Sequence, residues 1–221
     1  MDIEQTNGHA QDFLDARKLM AARQLRARGI SDRRVLEAFE SIPRHLFVPA
    51  EYRNSAYADS PLPIGFRQTI SQPFIVAYML ELLELTGVER VLEVGTGSGY
   101  QAAVLSALTA EVHTTELIPA LAERAAKTLA ELGIANVHVH LGDGSQGWHR
   151  SAPYDAIIVS AAGPRVPKSL LDQIADGGRM ILPVGEVGVQ YLELWRRQAE
   201  TFSHETLLPV AFVPLKGKEG V

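Results

Sequence analysis

The 221-residue sequence contains no cysteine. Disulfides, thiolate nucleophiles and Cys-ligated zinc are therefore excluded. No stretch approaches the ~18 consecutive apolar residues of a membrane span. Positive charge is in deficit, with 21 Lys and Arg against 26 Asp and Glu, a net charge of −5. Phosphate backbones and anionic membrane surfaces need clustered cations, so neither nucleic acid nor membrane is expected as a partner. The opening Met1-Asp2-Ile3-Glu4-Gln5 lacks the cationic and apolar regions of a secretory signal, which makes a reducing cytoplasm the expected compartment. There is no internal repeat, no low-complexity linker, no Gly-x-Ser-x-Gly elbow and no Ser-His-Asp order, so hydrolase chemistry has no support. His138 and His140 share a strand face, but no further group at ligand spacing completes a set, and no metal is expected.

What is present is ordinary globular material: 46% apolar and 21% charged residues, enough for one sizeable core. A single domain over residues 1–221 is expected, in three zones. Residues 1–75 begin with an unstructured tip and continue as a helical and lid region. A first helical run carries Phe13, Leu14, Leu19, Met20 and Leu25 and stops at Gly29. A second starts at the N-cap candidate Ser31-Asp32, and loop signals dominate after Pro43. Residues 76–184 alternate strand and helix. Strands are expected at Arg90–Val94, Glu111–Thr115, Asn136–Leu141, Tyr154–Ser160 and Gly178–Val184. The helices between them run from about Tyr100 to Leu108, around Leu117–Leu132, and at Ser169–Ile174. That alternation implies a parallel sheet with helices on both faces. Residues 185–221 supply two β-rich runs, Val189–Trp195 and Leu207–Val213, expected to pair antiparallel at the sheet end.

Gly95-Thr96-Gly97-Ser98-Gly99 lies where the first of these strands meets its helix. Glycines there permit a tight turn and close ligand approach. The spacing departs from the dinucleotide fingerprint, whose third glycine is here Tyr100. Glu93, just before the loop, makes the entry acidic, which suits an amino group better than a pyrophosphate. Glu116 ends the next strand, where an acid accepts from both ribose hydroxyls. Asp143, in Gly142-Asp143-Gly144, follows the third strand and reads either as a turn or as an acceptor for an adenine amine. These features favour a methyltransferase cofactor site and leave a nicotinamide dehydrogenase open.

Further segments occur in a fixed order: Leu62-Pro-Ile-Gly-Phe-Arg-Gln-Thr-Ile-Ser-Gln-Pro73, Val91-Leu-Glu-Val-Gly-Thr-Gly-Ser-Gly-Tyr100, Gly142-Asp-Gly144, Pro153-Tyr-Asp-Ala-Ile-Ile-Val-Ser-Ala-Ala162 and Pro209-Val-Ala-Phe-Val-Pro-Leu215. Over roughly residues 17–216 the set resembles the protein-L-isoaspartate O-methyltransferase family. The resemblance implies a Rossmann-like doubly wound α/β sheet of about seven strands, mostly parallel with an antiparallel C-terminal strand, behind an N-terminal helical extension. It also implies S-adenosyl-L-methionine as methyl donor and L-isoaspartyl residues of damaged proteins or peptides as acceptors. The methyl ester then collapses to a succinimide.

Residue by residue, Ser71 inherits the catalytic position. Glu93, Gly95, Thr96, Gly97, Ser98, Gly99, Glu116, Leu117, Leu121, Asp143 and Gly144 inherit cofactor binding. Thr69, Ile70, Ala161, Ala162 and Val213 inherit substrate binding. Taken by itself, Ser71 also reads as the N-cap of a helix starting near Pro73. Two departures stand out: Arg67, where bacterial relatives usually carry glycine, and Ser160, where threonine is commoner. Arg67 is either a solvent-facing loop residue or a partner for an acidic group on the substrate. Beside repair methylation, a methyltransferase of one dedicated aspartyl peptide and a cofactor-binding module without turnover remain open.

Overall fold

The computed structural model describes residues 3–221, with side chains from residue 11 onward; the expected unstructured tip lies outside the described residues. Helix α1 spans Ile3–Met20 and continues through a π turn and a 3-10 turn to Gly29, whose positive φ of 101° ends it. Helix α2, Arg33–Ser41, starts where Asp32 accepts from the backbone amides of Arg34 and Val35, so the expected N-cap forms. Val35, Leu36 and Phe39 are buried and face the core.

Residues 62–70 were expected to be loop and instead form a hairpin, β1 (Leu62–Gly65) with β2 (Gln68–Ile70). Its two turn residues, Phe66 and Arg67, both have positive φ, 54° and 58°. That conformation normally selects Asn or Gly, and the two flanking prolines weaken the strand pattern further, so the usual hairpin signal is missing. Arg124 at the far side donates to the carbonyl of Ile64 and ties the hairpin to the body.

The core element order is α3 (Pro73–Leu82), β3 (Arg90–Val94), α4 (Tyr100–Ser106), β4 (Glu111–Glu116), α5 (Pro119–Glu131), β5 (Val137–Leu141), β6 (Tyr154–Val159), α6 (Lys168–Leu171), β7 (Ile174–Glu186), β8 (Val189–Gln198) and β9 (Thr201–Val210). The seven strands β3 to β9 form one sheet in the order β5-β4-β3-β6-β7-β8-β9. Neighbours from β5 to β7 are parallel; β8 runs antiparallel to both β7 and β9. The expected strand at Gly178–Val184 begins earlier, at Ile174. Asp176-Gly177-Gly178 falls where the register against β6 shifts, between the pairs Tyr154–Ile174 and Ala156–Arg179, so the turn signal marks a bulge rather than the strand's start. The last strand likewise starts earlier than expected and stops at Val210, which frees residues 211–221 to turn back across the strand ends.

His113, His138 and His140 stack on one face of β4 and β5 around Glu111, with Trp148 over His140 at a ring separation of 4.1 Å. Among the described residues no group of three or more His, Asp or Glu side chains is arranged to hold a metal ion. Burial, then the neighbouring His113, His138 and Arg150 charges, lower the His140 pKa to about 4. A histidine that is neutral when folded but has an ordinary imidazole when unfolded stabilises the fold above the unfolded pKa. That contribution is lost as pH falls from about 6.5 toward 4. The melting temperature should therefore drop between pH 7 and pH 5, and His140→Phe, which keeps the stack on Trp148, should flatten that slope. An unchanged slope in a thermal melt series contradicts the assignment.

Candidate active site

The strand register sets the site. Val94 pairs with Thr115 on one side and with Val159 on the other. The residues that follow, Gly95, Glu116 and Ser160, therefore leave three neighbouring strands at one level. Gly95 and Thr96 donate to the carbonyl of Thr115, and Ser160 donates to that of Val94, so all three strand ends are tied together. Ligands in such sheets bind beyond the carboxyl ends of the strands, and here a cleft of about 280 Å³ opens there.

The glycine loop forms one wall. Gly95, Gly97 and Gly99 all have positive φ. Glu116 receives hydrogen bonds from the backbone amides of Gly97 and Ile118, 2.8 and 2.9 Å, one on each carboxylate oxygen. Each oxygen keeps further acceptor capacity for a ligand. Gly144 sits so close that a Cβ would lie 2.6 Å from Thr115 Oγ1 and 2.7 Å from a Val94 methyl.

Glu93 is fully buried in the cleft wall. Thr114 donates to its Oε2, while its Oε1 is buried with no partner among the described residues. Burial raises its pKa to about 8, against the opposing hydrogen bond from Thr114. An orphaned carboxylate oxygen facing a cleft calls for a cation or a strong donor. This fits a ligand carrying an ammonium and a sulfonium.

A second cleft of about 430 Å³ adjoins the first and is lined by Pro61, Gln72, Ile75 and residues 209–213. Four residues line both clefts: Thr69, Ser71, Ser160 and Val213. Ser71 thus stands at the junction. Helix α3 takes Gln72 as its N-cap without any side-chain cap, so the capping alternative for Ser71 is not realised. The segment is held instead by Arg44, a fully buried cation. It donates to the carbonyls of Ala56 and Ser71 at 2.8 and 2.7 Å and lies over the Tyr100 ring. Burial lowers its pKa only to about 10, so it stays charged at neutral pH.

Of the other expected site residues, Glu93, Gly95, Thr96, Gly97, Ser98, Glu116, Leu117, Gly144, Ile70 and Ala161 line the first cleft. Gly99, Leu121, Asp143 and Ala162 line neither. Gly99 is turned toward Ala125, 3.1 Å from where its Cβ would be, and packs loop against helix. Leu121 is wholly buried. Asp143 is occupied by Ser145, by Gln146 and by the backbone amide of Lys218, so it anchors the C-terminal segment. Ala162 donates to Val213 and accepts from Leu215, which fixes that segment beside the cleft. The sequence reading passed over Gln101, Ile118, Pro214, Lys216 and Arg44. Only Gln101 and Ile118 carried a usable signal, through their positions in the first turn after the glycine loop and just after Glu116.

A seven-stranded, mostly parallel sheet with a glycine loop and an acid, Glu116, at adjacent strand ends is the architecture of a Rossmann-like methyltransferase. The family model described as protein-L-isoaspartate(D-aspartate) O-methyltransferase matches residues 16–220. A protein-L-isoaspartate O-methyltransferase 1 of Rhodopseudomonas palustris is 53% identical over 96% of this chain and 87% of its own length. The protein-L-isoaspartate O-methyltransferase of Syntrophotalea carbinolica is 50% identical over 95% of this chain and 97% of its own. A solved protein-L-isoaspartate O-methyltransferase superposes with a TM-score of 0.84 at 30% identity, over 92% of this chain and 67% of its own. A structure described as a putative enzyme of this kind from Plasmodium falciparum, in complex with S-adenosyl-L-homocysteine, gives a TM-score of 0.79 at 24% identity. It spans 90% of this chain and 98% of its own and attests the fold alone. The chain belongs to the protein-L-isoaspartate(D-aspartate) O-methyltransferase family.

Replacing Arg44 by Met should strand two buried carbonyls and cost about 2–5 kcal/mol of stability. A denaturant midpoint unchanged from the parent contradicts the role given to this residue.

Proposed function

We infer that this chain methylates the carboxylate of L-isoaspartyl residues in damaged proteins and peptides, as a repair enzyme of the cytoplasm. The observation that carries the reading is the meeting of the two clefts at Ser71. We read residues 76–184 as the cofactor-binding core, 1–75 as the lid that brings Ser71 to it, and 185–221 as the strands and tail that close the acceptor side. No helix among the described residues is long and apolar enough to cross a membrane.

Bound S-adenosyl-L-methionine supplies a methyl group on a positively charged sulfur. Glu116 takes the ribose hydroxyls. Gly95 and Gly97 let the ligand approach the backbone. Glu93 faces the ligand's cationic end. The acceptor carboxyl has an ordinary pKa near ~4, is ionised at neutral pH and needs no general base. It needs orientation and loss of its water shell, and positioning of this kind is worth ~7–11 kcal/mol of barrier. Ser71 donates its hydroxyl to one carboxylate oxygen and leaves the other free to attack. The described residues offer that hydroxyl no other partner, which keeps it available. The second cleft is lined by neutral residues alone, so no fixed cation competes for the carboxylate as charge is neutralised along the reaction.

Labelled methyl transfer should be seen with an isoaspartyl peptide and not with its aspartyl twin; equal labelling of both overturns the reading. Ser71→Ala should fold and bind cofactor normally but lose about 1–3 kcal/mol of transition-state stabilisation, and a parent-like kcat/KM refutes the role. Glu93, held protonated at neutral pH by burial, should ionise when a cation docks beside it. Cofactor binding at pH 7 should then release a proton, seen by calorimetry in buffers of different ionisation enthalpy, and Glu93→Gln should abolish that release. Binding heats identical across buffers contradict the assignment.

A further inference from the structure

The junction of the two clefts holds a second hydroxyl besides those of the Thr69–Ser71 segment. Ser160 follows β6 directly, lines both clefts and is half-buried. Its backbone amide donates to Val94, and its Cβ lies 3.6 Å from the point where Gly95 would carry a side chain, so it is seated on the glycine loop. Gln101, on α4 and almost wholly buried, donates its side-chain amide to Ser160 Oγ at 2.8 Å. That bond occupies a lone pair of the hydroxyl and leaves its proton to be given elsewhere. No acceptor for the proton is present among the described residues. A half-buried donor, pinned through its oxygen and aimed at a junction between clefts, needs an acceptor from the ligand side.

The acceptor cleft makes the same demand from the other direction. An isoaspartyl carboxylate brought there finds no Lys, Arg or His in the lining, so its oxygens must be met by hydroxyls and main-chain amides. Resting on the function proposed above, we propose that Ser160 is a second substrate-binding hydroxyl that holds the acceptor carboxylate together with Ser71, and that Gln101 is its positioning residue. Ser71 reaches the junction from the hairpin side and Ser160 from the end of β6. Two donors from separate elements fix the plane of a carboxylate, which one donor leaves free to rotate. One carboxylate oxygen then forms the bond to the methyl carbon as the carbon–sulfur bond breaks and its electron pair stays on sulfur. The product is a neutral ester, and no proton changes place.

Gln101 itself lines the first cleft. The same side chain therefore touches the wall that receives the cofactor and the hydroxyl that receives the acceptor. This gives the two clefts a direct side-chain link from the first turn of α4, just past the glycine loop.

The test uses the full chain, an isoaspartyl peptide and saturating S-adenosyl-L-methionine, with peptide affinity measured separately by calorimetry on the S-adenosyl-L-homocysteine complex. Ser160→Ala should lower kcat/KM by about 10–100-fold and weaken peptide binding, with S-adenosyl-L-homocysteine affinity unchanged. Ser160→Thr, which keeps the donor, should restore most of the loss. Gln101→Leu should raise the peptide KM in the same sense, and the double variant should be no worse than Ser160→Ala alone, because the two act through one hydroxyl. The inference is overturned if Ser160→Ala keeps parental kcat/KM and peptide affinity, if threonine fails to rescue, or if the two losses multiply. A parent enzyme that labels no isoaspartyl peptide overturns the functional reading itself, and this inference with it.

Discussion

The parallel register of β3 with β4 and β6 is the constraint on which the site depends. It ends three strands at one level, where Gly95, Glu116 and Ser160 stand side by side. The hydrogen bonds that close those ends run between the strands themselves, from Gly95 and Thr96 to Thr115 and from Ser160 to Val94. A slip in either pairing would turn every side chain of the displaced strand to the opposite face of the sheet. It would also pull Glu116 out of line with the loop whose Gly97 amide it accepts from. The rest of the chain packs around this edge: the β1–β2 hairpin leads into Ser71, Arg44 holds it from behind, and the last residues fold back to complete the lining.

The two clefts are electrically unlike, and that difference suits the chemistry. The cofactor side carries Glu93 and Glu116, both buried, one of them with an oxygen left unpaired. A cationic ligand is favoured there because it relieves a desolvated carboxylate. The second cleft, the proposed acceptor side, has no charged lining residue. A fixed cation there would bind the acceptor carboxylate most strongly before reaction and less as its charge is consumed, which raises the barrier. Neutral hydroxyls would hold the group without that penalty. The single buried cation in this neighbourhood, Arg44, gives its hydrogen bonds to main-chain carbonyls behind Ser71.

Much of this was legible in the sequence, for local reasons. The alternation of short apolar runs with helical ones followed from burial of β3, β4 and β6 between layers. The glycine loop and the caps at Asp32 and Gly29 were readable because each depends on residues within one or two turns, and Glu116 because it ends a strand that its own residues mark out. The β1–β2 hairpin was missed because Phe66-Arg67 adopts a conformation those residues seldom take without tertiary support. Asp143 was placed in the cofactor site by its position after β5, yet here its carboxylate is spent on Ser145, Gln146 and Lys218. That competition comes from a segment some 75 residues further on, which no local pattern announces.

The sequence by itself determined the layer architecture, the cofactor loop and its acid, and, through its ordered motifs, the family. The architecture and the loop rest on periodicity and spacing, which act over a few residues; the family rests on the resemblance that the motifs carry. Only the tertiary structure decided which hydroxyls share a junction, that Gln101 reaches Ser160, that a buried arginine carries the Ser71 segment, and that the chain's last residues claim Asp143. Those contacts join residues from distant parts of the chain. Their positions are set by strand register and by the need to satisfy every buried polar group at once, and neither condition can be evaluated until the whole chain is packed.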